Sequence, residues 1–150
     1  MHTKTGKKKK GWIAFLIILG MLILALCAAL IADAPSRRET AGLTFGEIDF
    51  GSLKDGVYVG EYVGTKGHMR DAAVEVTVSG GKVTKIKIFK GALDAEGNPQ
   101  DMGGGTTMED LLLNAVNSRS MDVDLVTGAT LTSKAHLKAL ENALLKAQGD

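Results

Sequence analysis

From Trp12 to Ala32 the chain carries no charged or amide side chain, and no other feature restricts its fold as strongly. Backbone N–H and C=O groups placed in hydrocarbon must bond one another, which a single segment achieves only as a helix. At about 1.5 Å per residue this run spans roughly 31 Å, the thickness of a bilayer core. The sequence therefore predicts one transmembrane helix over residues 12–32, behind a basic tail over 1–11, with Trp12 at the inner interface. Lys4, Lys7, Lys8, Lys9 and Lys10 precede the apolar run, and the first charges after it are Asp33, Arg37 and Arg38. That asymmetry predicts a single-pass protein of the cell membrane, its N-terminus cytoplasmic and the rest extracytoplasmic.

Three other readings of this segment are weaker. A cleaved signal peptide has a shorter apolar core, and the Ala-x-Ala beyond it, Ala32-Asp33-Ala34, is followed by Pro35, a poor residue at a cut. A lipid-modified Cys27 is disfavoured by Leu26 before it and by apolar sequence continuing to Ala32, so Cys27 reads as a small apolar helix residue. A basic run abutting an apolar segment is an orientation signal far more often than a nucleic-acid patch.

Charge follows the same partition. The formal +1 of the chain divides into +5 over residues 1–32 and, with 13 basic against 17 acidic residues, −4 over residues 33–150. The outer part thus has no basic footprint for nucleic acid. Cys27 is the one cysteine, so neither disulfides nor thiolate-held metals support that part. His2, His68 and His136 are too scattered for a metal or haem site. No Ser-His-Asp set or distinguished carboxylate pair argues for hydrolysis, and no catalytic residue is assigned.

Residues 33–53 read as a tether, irregular at Ala34-Pro35-Ser36, with Leu43, Phe45, Ile48 and Phe50 apolar enough to lie against a folded domain. As a flexible coil it averages about 25 Å end to end, which keeps the domain near the membrane surface. The domain itself occupies 54–150. Val57, Val59 and Val63 alternate through a glycine-broken strand; Val74, Val76 and Val78, then Gly80-Gly81, then Ile86 and Ile88 give a hairpin. Residues 91–105 read as a loop. Gly103-Gly104-Gly105 in it lacks the lysine and spacing of a phosphate loop. Thr106-Thr107-Met108-Glu109 has the arrangement of a capping box and opens a helix with Met108, Leu111, Leu112, Ala115 and Val116 on one face. Met121 to Asp124 reads as a short strand, and about Ser133 to Ala147 as a helix turning Leu137, Leu140, Leu144 and Ala147 inward. Strands followed by helices predict an α+β domain, a small, mostly antiparallel sheet covered by helices on one side.

The chemistry concentrates in Asp124-Leu125-Val126-Thr127-Gly128-Ala129-Thr130-Leu131-Thr132. A hydroxyl at Thr132 can form a phosphodiester, and the helix that follows would place that anion at its N-terminus, where unpaired N–H groups and the helix dipole favour it. Gly128 and Ala129 leave room for a phosphate and a flat ring; Thr127, Thr130 and Ser133 add hydroxyls. The competing reading is an ordinary Thr/Ser-rich helix cap. Two tyrosines on one strand face, Tyr58 and Tyr62, suit either core packing or stacking on a ring. His68 suits an exposed loop better than a cofactor contact.

This string resembles the flavinylation motif of the FMN-binding domain family, which includes the C subunit of the sodium-translocating NADH:quinone reductase and the G subunit of the Rnf complex. That motif is Asp, two variable residues, Ser or Thr, Gly-Ala, Ser or Thr, one variable residue, and the acceptor Thr. Each fixed position is filled, and the similarity extends weakly over about 54–147. Residues 90–105 depart from the family's loop, so flavin contacts there are not transferred. The resemblance implies an electron-transfer flavoprotein in which FMN is held on Thr132 by a phosphoester, with Asp124, Thr127, Gly128, Ala129 and Thr130 as recognition and cradle residues. It implies an extracytoplasmic flavin transferase that takes FAD with magnesium, and a membrane quinol or reductase as electron donor. Other classes remain open: a membrane-tethered binding module without a working flavin, and an accessory subunit of a larger membrane redox complex.

Overall fold

The computed structural model describes residues 6–149. The chain divides into two compact units, one reaching Pro35 and one beginning at Ser36. Helix α1, Gly6–Ala41, contains the apolar run. From Gly11 it is long and apolar enough to cross a membrane, and none of its most apolar stretch is buried by protein.

The irregular chain expected at Ala34-Pro35-Ser36 is helical instead, since α1 continues through Pro35 to Ala41. Contacts within the second unit account for the last turns. Thr40 is buried; its hydroxyl donates to the Ser36 carbonyl at 3.0 Å and lies 3.2 Å from the Tyr62 hydroxyl. The Glu39 carboxylate accepts from the Thr65 and Lys66 N–H groups, each at 2.8 Å. These bonds outweigh the N–H that proline lacks. Beyond Gly42, Leu43, Phe45, Ile48 and Phe50 do lie against the core.

Three antiparallel strands follow, β1 Gly56–Tyr62, β2 Ala72–Ser79 and β3 Lys82–Lys90, in the order β1-β2-β3. Ser79 pairs with Lys82 across Gly80 and Gly81. Both glycines have positive φ, +60° and +70°, the geometry a two-residue hairpin turn demands. Val74, Val76, Val78, Ile86 and Ile88 are buried on one sheet face. Helix α2, Met108–Ser118, and helix α3, Thr130–Gln148, add to this core, with Met108, Leu111, Leu112 and Ala115 buried on α2 and Leu137, Leu140, Leu144 and Ala147 among those buried on α3. This is the α+β arrangement the pattern predicts.

Gly60 lets α3 approach β1. A Cβ there would strike the Ala139 carbonyl and the Ala143 backbone, so only glycine fits beneath this helix. Two α3 side chains then cover the β1 edge, Lys146 Nζ donating to the Val59 carbonyl at 2.7 Å and Asn142 Nδ2 to the Glu61 carbonyl at 2.8 Å.

Candidate functional site

The segment between α2 and α3 is set by its two ends. Arg119 takes a left-handed conformation, φ 52°, and closes α2 through bonds to Ala115 and Val116. The chain then runs as irregular structure from Met121 to Val126. The short strand expected over Met121–Asp124 is absent among the described elements because no strand lies beside the segment. Val123, Leu125 and Val126 rest on the core; Leu43 to Phe50 flank it on one side and α2 on the other.

Thr127 and Gly128 then form a turn in which the Ala129 N–H donates to the Val126 carbonyl at 3.0 Å and Gly128 has φ +82°. Helix α3 begins at Thr130, three residues before the expected start. Its N-cap position is Ala129, and no side chain caps it. The ordinary Thr/Ser cap is therefore not the use made of this sequence: Thr130 and Thr132 lie inside the first turn, and that turn's N–H groups have no side-chain acceptor. Thr130 is exposed and Thr132 half-buried. Ser133, expected among the hydroxyl donors, is buried with its Oγ unpartnered. It belongs to the core side of α3.

Beside the turn lies a cleft of about 460 Å³, lined by Met102, Gly103, Thr106, Asp110, Leu111, Asn114, Asp124, Val126 and Thr127. That volume falls within the roughly 300–1,000 Å³ of small-molecule sites. The structure thus brings Asp124 and Thr127 to the cleft, while Gly128, Ala129, Thr130 and Thr132 form the adjoining turn and helix start. Tyr58 and Tyr62 are not at the cleft. Tyr62 is buried beside Thr40, and the Tyr58 hydroxyl donates to the Asp55 carbonyl at 3.3 Å. His68 is an exposed partner of Asp71, at 3.3 Å.

Sequence reasoning passed over Met102, Gly103, Thr106 and Asn114. Asn114 lies on α2, and the loop that carries Met102, Gly103 and Thr106 is ordered without long strands. Isolated bridges pair Leu93 with Pro99 and Asp101 with Thr107, and Asp94 accepts from the Glu96 and Asn98 N–H groups at 3.0 and 2.8 Å. The capping box of α2 uses Thr107 and Asp110, one residue later than expected. The Thr107 N–H and hydroxyl bond the Asp110 carboxylate and hold its pKa below the usual aspartate range. Asp110 therefore stays ionised and committed to the cap at the edge of the cleft.

The family model for the FMN-binding domain matches residues 67–145. The chain belongs to the FMN-binding domain family. The matched span contains the hairpin, the loop, α2, the cleft and the motif. Among solved structures, the crystal structure of the CPE2226 protein from Clostridium perfringens is similar, with 29% identity, a TM-score of 0.47, and coverage of 65% of this chain and 90% of that one. No curated protein matches the chain.

The residues present fit the group the FMN-binding domain implies. A phosphate suits the uncapped first turn of α3, where Gly128 has nothing within 4 Å of a would-be Cβ. The cleft offers apolar surfaces at Met102, Leu111 and Val126, with Thr106, Asn114 and Asp124 as polar partners. The Asp124 carboxylate suits ribityl hydroxyls and ring N–H groups.

Proposed function

We propose that this protein is a membrane-anchored extracytoplasmic flavoprotein that relays electrons through FMN esterified to Thr132. The observation that carries the reading is the uncapped α3 start: a complete flavinylation motif in a family member ends on a helix turn whose N–H groups no side chain occupies. Asp124 and Thr127 bound the ring cleft, Gly128 and Ala129 keep the approach clear, and Thr130 adds an exposed hydroxyl to the same helix turn as the acceptor. Helix α1 serves as the anchor, and the lysines ahead of its apolar run hold the N-terminus in the cytoplasm.

FMN, when bound, supplies one- and two-electron chemistry; the chain supplies placement and a fixed electrostatic setting. Thr132 Oγ1 reaches its ester by displacing AMP from FAD on a flavin transferase with magnesium. The Oγ1–P bond forms as the pyrophosphate P–O bond breaks, and the hydroxyl proton leaves to water. A covalent link keeps the flavin where a dissociated one is lost to dilution. Electrons enter from a membrane quinol or reductase.

The full chain co-expressed with a flavin transferase is expected to show flavin fluorescence that survives denaturing electrophoresis, and Thr132→Ala to show none. A folded wild-type chain that stays colourless under these conditions would instead favour a binding module without a flavin.

A further inference from the structure

His136 stands one helical turn beyond Thr132 on α3 and is 1% exposed. Its Nδ1 lies 2.8 Å from the Thr132 carbonyl oxygen. A carbonyl only accepts, so Nδ1 carries a proton. Burial pushes the imidazole pKa down, which favours the neutral ring. Among the described residues Nε2 makes no hydrogen bond of good geometry, although the Gly91 and Lys90 backbone close by works against the lowering that burial causes. The ring rests against Gly91, where a Cβ would come within 2.8 Å of Cε1 and 2.9 Å of Nε2.

Leucine or methionine would fill this space without an orphaned buried nitrogen. The polar contact that the imidazole makes in exchange goes to the carbonyl of one particular residue, Thr132. The turn that receives it has backbone bonds but no side-chain cap, and a glycine in open space stands just before it. We propose that His136 is a positioning residue for flavin attachment: its Nδ1–H fixes the Thr132 carbonyl, and so sets the acceptor-bearing turn of α3 against the chain at Gly91. The inference rests on Thr132 being the acceptor. His136 takes no proton in the step; it acts through the backbone.

The test uses the full chain in detergent with purified flavin transferase, FAD and magnesium, and compares His136→Asn, His136→Gln and His136→Leu. Asparagine carries an N–H near the position of Nδ1, whereas glutamine extends its amide toward that of Nε2. Attachment rates are taken per folded chain, with thermal midpoints measured alongside. Leu and Gln are expected to lower kcat for attachment about tenfold or more, as a misplaced reacting group does, with KM for the chain unchanged. Asn is expected to restore most of the rate. Equal rates for Asn and Gln, or a wild-type rate for Leu, overturn the proposal while leaving Thr132 as acceptor if Thr132→Ala takes no flavin. Undiminished labelling of Thr132→Ala overturns both.

Discussion

At the scale of single residues, Gly128 and Asp71 show how conformation and burial set roles that residue type alone does not reveal. Gly128 has φ +82° and open space around it, so a side chain has room but the backbone does not suit it. Gly128→Val is expected to lower unfolding free energy by about 1–2 kcal/mol and to reduce flavin per chain by crowding the α3 start. Urea unfolding and flavin absorbance check both effects, and normal loading would remove Gly128 from the site. The Asp71 side chain is 5% exposed, with Lys90 Nζ at 2.9 Å and the Gly64 N–H donating to it at 3.0 Å. The Lys90 bond, then the Gly64 N–H, hold its pKa below the ordinary 3.8. A depressed folded-state pKa contributes stability that is present above the unfolded value and lost as pH falls through the folded one. Asp71→Asn is expected to be less stable at neutral pH, with the gap to wild type narrowing once pH drops below 3.8. Denaturation midpoints along the acid limb decide this, and a gap of constant size contradicts it.

At the scale of elements, the contact between β1 and α3 is the most demanding, because a Cβ on Gly60 meets helix backbone, with the Ala143 Cα at 2.9 Å. Backbone cannot rotate aside as a side chain does, so Gly60→Val is expected to cost at least the roughly 1–3 kcal/mol typical of overpacking. Thermal denaturation of the variant measures it, and an unchanged midpoint would show that α3 seats elsewhere. The hairpin was legible because Val74, Val76, Ile86 and Ile88 alternate around two adjacent glycines; both helices were legible from their apolar faces. Three features were not. The final turns of α1 depend on Glu39 and Thr40 meeting Thr65, Lys66 and Tyr62, contacts too distant in sequence for local pattern to show. Met121–Asp124 alternates like a strand but has no strand to pair with. The loop from Gly91 to Thr107 is built from isolated bridges and Asx bonds, and so its Met102, Gly103 and Thr106 reached the cleft unannounced. Of the candidate site, the motif was readable as a string, and the cleft beside it was not.

At the scale of the whole molecule, the two units have separate duties under the proposed reading: the apolar helix anchors, and the unit from Ser36 onward carries the flavin. Protease added to intact cells or protoplasts is expected to degrade residues beyond the membrane helix while the N-terminal lysines stay protected. Complete protection of the domain with the membrane intact would reverse the orientation. The central claim, however, concerns one oxygen atom, and intact mass with peptide mapping reads it directly. Chain co-expressed with a flavin transferase is expected to gain the mass of one FMN less one water, located on the peptide at Thr132 and absent from Thr132→Ala. An adduct on another residue, or one that persists in Thr132→Ala, would contradict the account.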